Sequence, residues 1–429
     1  MTITFIGHGY VGLVTAAVFA DFGNTVYVIG HTKEKIENLK QGIIPIYEPG
    51  LEELVKKNVE DGRLIFTLDY KPSIPQSDIV FIAVGTPTTK TGDADLSTVL
   101  NVAKEIGKNL EGYTVVATKS TVPAGTNKKV KRILEESKPV AAEVDYASVP
   151  EFLREGSAIS DTVNPDRIVI GAESKKAQEM LVKLHEPIKS PLVLTNFETA
   201  ELIKYAANAF LALKISYANS IAKLSESLNA DALKVLEGIG MDRRIGNMFL
   251  SPGPGYGGSC FPKDVRALIS IAKDNDYPFS LLEEVENINH QSRRDIVRKA
   301  RKMLGDIRDK KIGILGLAFK ANTDDMRDAP AIDIINLLQN DGAKIYAFDP
   351  KAKETAAAVL KNVDFKNDAY EVCEEADLLI VLTEWNEFKE LDFARIKNKM
   401  KSPNIIDGRN LYDPEQMKSA GFNYLGIGR

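Results

Sequence analysis

The chain has 429 residues, a length that suits about three domains at roughly 150 residues each. Apolar residues make up 44% and charged residues 27%, and 55 basic against 60 acidic side chains give a net charge of −5. That balance excludes a general nucleic-acid or membrane-surface binder while leaving room for a local cationic pocket.

The first strand-like run, Ile3-Thr4-Phe5-Ile6, begins at the N-terminus and leaves no leader segment to remove. Val26 to Ile29, Ile79 to Val84 and Thr114 to Thr118 follow, and then Ile168-Val169-Ile170 and Leu192-Val193-Leu194. Their hydrophobicity is continuous, as in parallel strands covered by helices on both faces. From Glu198 to Ala230 there is no Gly or Pro, and apolar residues recur at helical spacing. As one helix that stretch would run about 50 Å. Helical pattern continues to Arg301, interrupted by a Gly/Pro-rich loop at Ser251 to Pro262. Strand-like runs return at Lys311 to Leu315, Lys344 to Phe348, Leu378 to Leu382 and Asn404 to Asp407.

The predicted fold is α/β: two Rossmann-like, doubly wound parallel-sheet domains joined by a long central helix and a helical middle domain. The predicted boundaries are 1–196, 197–301 and 302–429. No apolar run reaches the ~18–20 residues that span a bilayer. Cys260 and Cys373 cannot form a disulfide framework, which points to a reducing compartment, the cytoplasm. The four histidines show no metal-ligand spacing, so no metal is expected.

Gly7-His8-Gly9-Tyr10-Val11-Gly12 follows the first strand and opens a helical pattern. In that setting the glycines let a dinucleotide pyrophosphate approach the helix N-terminus. The second strand should then end in an acid that binds the adenosine 2′-hydroxyl of NAD. It ends instead in Gly30-His31-Thr32-Lys33. Either a 2′-phosphate is accommodated there, which makes NADP an option, or NAD binds through its other groups. The second α/β half offers only Gly313 and Gly316 at its first turn, short of a second fingerprint.

Three polar pairs are spaced four apart: Glu151 and Glu155, Lys204 and Asn208, Cys260 and Asp264. On a helix each pair would share a face. Cys260 follows a glycine-rich loop, and Pro262 suits a first helical turn. A thiol at a helix N-terminus is a usable nucleophile, whereas Cys373 sits among apolar residues and reads as inert. A nicotinamide site beside a nucleophilic cysteine allows a carbonyl to be trapped as a thiohemiacetal, oxidised to a thioester and hydrolysed. The run Pro252 to Gly258 has the composition to wrap a phosphate with backbone N–H groups.

Taken together these motifs are recognisable. Gly7 to Gly12, Ile44-Pro45-Ile46-Tyr47-Glu48-Pro49-Gly50, Val84-Gly85-Thr86-Pro87, Ser120-Thr121-Val122-Pro123-Ala124-Gly125-Thr126, Pro150 to Gly156, Phe249 to Asp264, Gly316-Leu317-Ala318-Phe319-Lys320 and Asp407-Gly408-Arg409 occur in order along the chain. The sequence resembles, from end to end, the nucleotide-sugar 6-dehydrogenases of the UDP-glucose/GDP-mannose dehydrogenase family.

The resemblance implies four-electron oxidation of UDP-glucose to UDP-glucuronate with two NAD reduced, in a homodimer or larger assembly. It implies Cys260 as nucleophile, Asp264 and Lys204 assisting the first oxidation, and Glu151 as the base for thioester hydrolysis. Thr121 and Asn208 would hold the catalytic water and substrate oxygens. Phe152, Leu153, Phe249, Tyr256, Gly257, Lys320 and Arg409 would contact substrate, as would Glu151, Lys204 and Asn208, and Arg244 would reach the sugar nucleotide of a second subunit. Gly7, Gly9, Tyr10, Val11, Gly12, Gly30, Thr32, Lys33, Thr86, Thr121, Glu155, Lys263 and Arg327 would form the cofactor side. Gly30 stands where the family has its ribose-binding Asp, and Val149 where an Asn usually precedes Pro-Glu-Phe-Leu. The stretch Pro252 to Asp264 looks like the UDP-glucose branch; GDP-mannose or another nucleotide sugar is the alternative. A catalytically silent nucleotide-sugar binding protein is the competing class, and the joint presence of all six catalytic candidates speaks against it.

Overall fold

Continuous β-branched runs become buried strands where helices connect them and cover the sheet; Leu192, Val193 and Leu194 form the edge strand of their sheet and, contrary to the reading from composition, are exposed. A computed structural model describes residues 1–89 and 92–429. The chain divides into two compact units: Met1–Ala207 with Arg266–Ile271, and Asn208–Val265 with Ala272–Arg429.

In the first unit the elements run β1 (Thr2–Ile6), α1 (Tyr10–Asp21), β2 (Thr25–Ile29), α2 (Lys33–Lys40), α3 (Leu51–Glu60), β3 (Leu64–Thr67), β4 (Ile79–Ile82) and α4 (Ser97–Lys108). They continue with β5 (Tyr113–Thr118), α5 (Thr126–Ser137), β6 (Glu143–Ser148), α6 (Ala158–Val163), β7 (Ile168–Ala172), α7 (Lys175–Leu184) and β8 (Leu192–Thr195). The sheet order is β3-β2-β1-β4-β5-β6-β7-β8. Phe5 pairs in register with Val28 on one side and Phe81 on the other, and the Phe5 and Phe81 rings stack at 4.8 Å. All neighbours are parallel except β6 and β7, which pair antiparallel through Ala147–Ala172 and Ser148–Gly171. The strand predicted over Ile79 to Val84 ends at Ile82, so Ala83 and Val84 become loop above the sheet's carboxyl edge.

Helix α8 (Phe197–Leu228) runs 32 residues, from the first unit into the second, and joins the two sheet domains. The chain continues with α9 (Ala232–Gly240), α10 (Phe261–Asp274), α11 (Ser280–Leu304), β9 (Lys311–Leu315), α12 (Pro330–Asn340), β10 (Lys344–Phe348), β11 (Val363–Phe365), β12 (Leu378–Val381), β13 (Asn404–Asp407) and β14 (Asn423–Leu425), with short helices between the later strands; all but the Arg266–Ile271 stretch of α10 belong to the second unit. The sheet of that unit, β11-β10-β9-β12-β13-β14, is parallel throughout. Among the described residues no helix is long and apolar enough to cross a membrane.

Candidate active site

At the carboxyl end of β1 the glycines do three different jobs. Gly7 has φ +118°, and a Cβ there would stand 2.4 Å from the Ala83 carbonyl oxygen. A Cβ on Gly12 would meet the Gly7 oxygen at 2.1 Å, so glycine lets α1 pack close to the strand. Gly9 has nothing within 4 Å of its Cβ position and caps α1 with no side-chain hydrogen bond. The open side over Gly9, at the N-terminus of α1, fits a dinucleotide pyrophosphate. Tyr10 and Val11 open the helix half-buried, and the Tyr10 hydroxyl donates to the Tyr47 carbonyl. Thr86 donates to the Thr121 carbonyl at 2.8 Å, tying together the loops that follow β4 and β5.

At the end of β2, Thr32 caps α2 without a side-chain bond and Lys33 is exposed. Position 30 is crowded: a Cβ on Gly30 would lie 2.6 Å from Ile36 Cδ1 and 3.1 Å from His8 Nδ1.

Glu151 and Glu155 do not share a helix face, contrary to the reading from spacing. Residues 149–157 form a loop, since Pro150 disfavours helix at Val149 and Gly156 takes φ +80°. Glu151 instead accepts a hydrogen bond from Leu153 N at 2.8 Å. The loop is pinned by buried Glu48, which accepts from Gly156 N at 2.6 Å and Ala158 N at 2.7 Å. Glu155 is buried within it. Phe152 lies under the Arg167 guanidinium at 3.5 Å, with Lys204 Nζ 5.3 Å from its ring.

Lys204 projects from α8 and pairs with Glu151 at 3.1 Å; the two side chains are 4% and 6% exposed. Three residues earlier on the helix, Glu201 accepts from Gly125 N at 2.6 Å and Asn127 N at 2.8 Å. That carboxylate fixes the loop from Ser120 to Thr126. Its burial pushes its pKa upward, and these bonds oppose the rise.

In the second unit, one turn after Lys204, Asn208 donates to Asp264 Oδ2 at 2.6 Å. Lys263 Nζ lies 2.5 Å from the other carboxylate oxygen, so both oxygens of a 1%-exposed carboxylate are engaged. Cys260 is the N-cap of α10, with Pro262 in the first turn, and its carbonyl accepts from Asp264 N at 2.9 Å. Spacing of four here is helical, as the sequence reading expects. The Cys260 thiol is partly exposed and 3.5 Å from Ser259 Oγ. Cys373 is fully buried, with its thiol pushed up to about 12 by burial.

The glycine loop ahead of Cys260 is built against a polar scaffold that the sequence reading missed. Asn289 on α11 accepts from Tyr256 N at 2.7 Å and donates to Tyr256 O at 3.1 Å. Arg293, one turn on, donates to Tyr256 O at 2.8 Å and pairs with Asp333 at 2.6 Å. A Cβ on Gly257 would strike the Asp328 carbonyl at 2.4 Å. Phe249 adopts φ +64°, rare for an aromatic residue, and its ring lies 6.0 Å from that of Phe261. Arg409 donates to Leu382 O at 2.8 Å and Phe319 O at 3.0 Å, placing it beside the loop that ends at half-buried Lys320. Arg327 forks onto Asp325 through contacts of 2.8 Å. Arg244 is 89% exposed and pairs with Asp242 two residues away; it meets none of the other predicted site residues.

Lys119 is the other residue that pattern reading missed. It directly precedes Ser120-Thr121 and lines a cavity of about 50 Å³ with Thr15, Val149, Glu151, Phe152 and His185. Burial and the Lys204 charge lower its pKa to about 8, against the pull of Glu151. A lysine beside a serine in a polar loop reads as surface; only the fold buries it.

The chain matches the UDP-glucose/GDP-mannose dehydrogenase family in three consecutive parts: the NAD binding domain over residues 1–189, the central domain over 198–291 and the UDP binding domain over 313–414. It is 51% identical to the UDP-glucose 6-dehydrogenase TuaD of Bacillus subtilis, covering 100% of this chain and 93% of that one. It is also 51% identical to the UDP-glucose 6-dehydrogenase of Rhizobium meliloti, covering 100% of both. Among solved structures, a UDP-glucose dehydrogenase from Pyrobaculum islandicum superposes with TM-score 0.93 at 36% identity, over 100% of this chain and 97% of that one. A UDP-D-ManNAc dehydrogenase from Pyrococcus horikoshii gives 0.89 at 29%, over 100% and 99%. Glycine loop, buried acid pairs and cysteine N-cap thus occur in a chain that, over its whole length, belongs to the UDP-glucose/GDP-mannose dehydrogenase family.

Proposed function

We propose that this chain oxidises the C6 hydroxymethyl group of UDP-glucose to a carboxylate, giving UDP-glucuronate, in two two-electron steps through an adduct on Cys260. One observation carries the reading: Lys204 and Asn208, a turn apart on α8, each hold a buried carboxylate, Glu151 at 3.1 Å and Asp264 at 2.6 Å. Two acids kept in different company can take different roles. The bound nicotinamide supplies the hydride acceptor, one per two-electron step.

Asp264, steadied by Asn208 and Lys263, takes up the C6 hydroxyl proton through water as the first hydride leaves. The Cys260 thiolate then forms a C–S bond to the aldehyde carbon, and the Lys204 ammonium stabilises the oxyanion of the thiohemiacetal. Departure of a second hydride from the same carbon leaves a thioester. Glu151 deprotonates a water held by Thr121 and Asn208; the water oxygen adds to the carbonyl carbon, and the C–S bond breaks to release thiolate. One water in, with two hydrides and three protons out, balances the conversion of the alcohol to the carboxylate.

Phe152, Leu153, Phe249, Tyr256, Gly257, Lys320 and Arg409 hold the sugar nucleotide in this reading. Glu155 and Arg327 serve the nicotinamide side in this reading, and Thr86 with the loop from Gly7 to Gly12 holds the dinucleotide phosphates. The experiment is a panel of UDP-glucose, GDP-mannose and UDP-N-acetylmannosamine at equal concentration. UDP-glucose turning over at least tenfold faster than the others supports the reading. A faster rate with either competitor overturns the substrate, and tight binding of UDP-glucose without turnover overturns the enzyme.

The working form in this reading is a homodimer or larger, with Arg244 reaching the sugar nucleotide of a second copy. Phe210, Tyr217 and Leu224, at steps of seven on α8, are 61%, 48% and 54% exposed, the spacing of a helix seam awaiting a partner. Light scattering should give at least the dimer mass. A nucleophilic free thiol also suits the reducing cytoplasm.

A further inference from the structure

Position 30 departs from the dinucleotide pattern, and the structure shows that His8 stands beside it. The acid that normally ends the second strand would project its Cβ from Gly30 into Ile36 Cδ1 at 2.6 Å and toward His8 Nδ1 at 3.1 Å. His8 therefore stands at the place where a carboxylate at position 30 would reach. The His8 side chain is 6% exposed, and its Nδ1 has no hydrogen-bond partner. A buried ring nitrogen without a partner calls for one supplied from outside the chain. The His31 ring lies 5.4 Å away. His31, Lys33 and Lys35 are exposed around it, and α2 begins at Thr32 with its first N–H groups uncapped by a side chain.

Given the dinucleotide reading of the Gly7 to Gly12 loop, on which this rests, we propose that His8 and His31, with Thr32, Lys33 and the start of α2, bind the 2′-phosphate of NADP. An imidazole N–H and an ammonium each donate to a phosphate oxygen, and free N–H groups at a helix start favour the same dianion. An acid at position 30 would repel that phosphate, so its absence and the histidine that fills its place serve one end. Burial, and after it the basic neighbours His31 and Lys35, lower the pKa of His8. Glu34, between Lys33 and Lys35, is the acidic residue in the first turn of α2. His8 is therefore neutral in the free protein at pH 7. A bound dianion draws a proton onto it, and 2′-phosphate affinity rises as pH falls.

The test is calorimetric titration of the full chain with NADPH and NADH, and with 2′-AMP and 5′-AMP as fragments, at pH 6 and pH 8. Expected is NADPH binding at least as tight as NADH at pH 8, with at least a threefold further gain for NADPH alone at pH 6. His8→Gln should weaken NADPH at least fivefold more than NADH. The double variant His8→Ala, Gly30→Asp, which clears the ring and restores an acid, should shift the preference toward NADH at least tenfold. NADH bound more than tenfold tighter than NADPH at both pH values overturns the proposal, as does equal weakening of both cofactors by His8→Gln. Binding of neither dinucleotide by a chain that still melts cooperatively would instead overturn the reading of the loop itself.

Discussion

The Asn208 amide donates to Asp264 at 2.6 Å, on the turn of α8 directly after the one whose Lys204 pairs with Glu151. Asp264 is 1% exposed, and Asn208 and Lys263 each serve one of its oxygens. Asp264→Asn keeps the shape and removes the charge. It should leave the melting temperature within a few degrees while kcat falls about 10²- to 10⁴-fold. Asn208→Leu leaves a buried carboxylate oxygen without its partner and should cost about 1–3 kcal/mol of stability. Denaturant titration and steady-state rates separate the two effects.

The Lys204–Glu151 pair makes a double-mutant cycle informative. Lys204→Met leaves Glu151 buried without its ion-pair partner and should destabilise by about 3–5 kcal/mol. Glu151→Gln leaves two ammonium groups facing each other. The double variant should be more stable than the sum of the two losses by at least about 1 kcal/mol. Additive losses would mean that the pair is screened by water.

Lys119 gives stability a defined pH dependence. Its pKa is about 8 in the fold against 10.5 as the ordinary value. Between those values the unfolded chain binds more protons, so the Lys119 contribution rises with pH through that window. Lys119→Met should stabilise the chain at pH 7, on the order of 3 kcal/mol, an advantage that fades from pH 8 to 10.5. His185, lowered to about 4 chiefly by burial, acts in the acid range with the same sign: its contribution is lost as pH falls from 6.5 toward 4. Thermal melts across pH 4 to 10.5 measure both.

Asn289 makes two hydrogen bonds to the Tyr256 backbone, and Arg293 a third. Asn289→Leu should free the glycine loop and raise KM for the sugar nucleotide at least tenfold. Calorimetric affinity for the dinucleotide should stay unchanged. A parallel loss of dinucleotide affinity would mean general unfolding instead.

The glycine fingerprint was legible because its context, strand before and helix after, is local. Helix α8 was legible because 32 residues without Gly or Pro leave no other reading, and Cys260 with Asp264 because Pro262 marks a first turn. Glu151 and Glu155 were not, since spacing of four has meaning only on a helix and Pro150 with Gly156 prevents one. The antiparallel β6–β7 pair was hidden as well: a buried strand has the same composition in either direction. Asn289 and Arg293 look like ordinary polar positions on α11; only the chain 33 and 37 residues earlier, folded against them, gives them work. Gly30 was visible as a departure, but its partner His8 emerged only when the distance between them could be measured.

The central claim is a four-electron oxidation through Cys260. Its most direct test is the number of nicotinamides reduced per molecule of limiting UDP-glucose at end point, with Cys260→Ala alongside. The account predicts two per sugar for the natural chain, and for the variant a rate at least about 10³-fold lower. One per sugar, or a Cys260→Ala variant that still reaches two at a comparable rate, would contradict it.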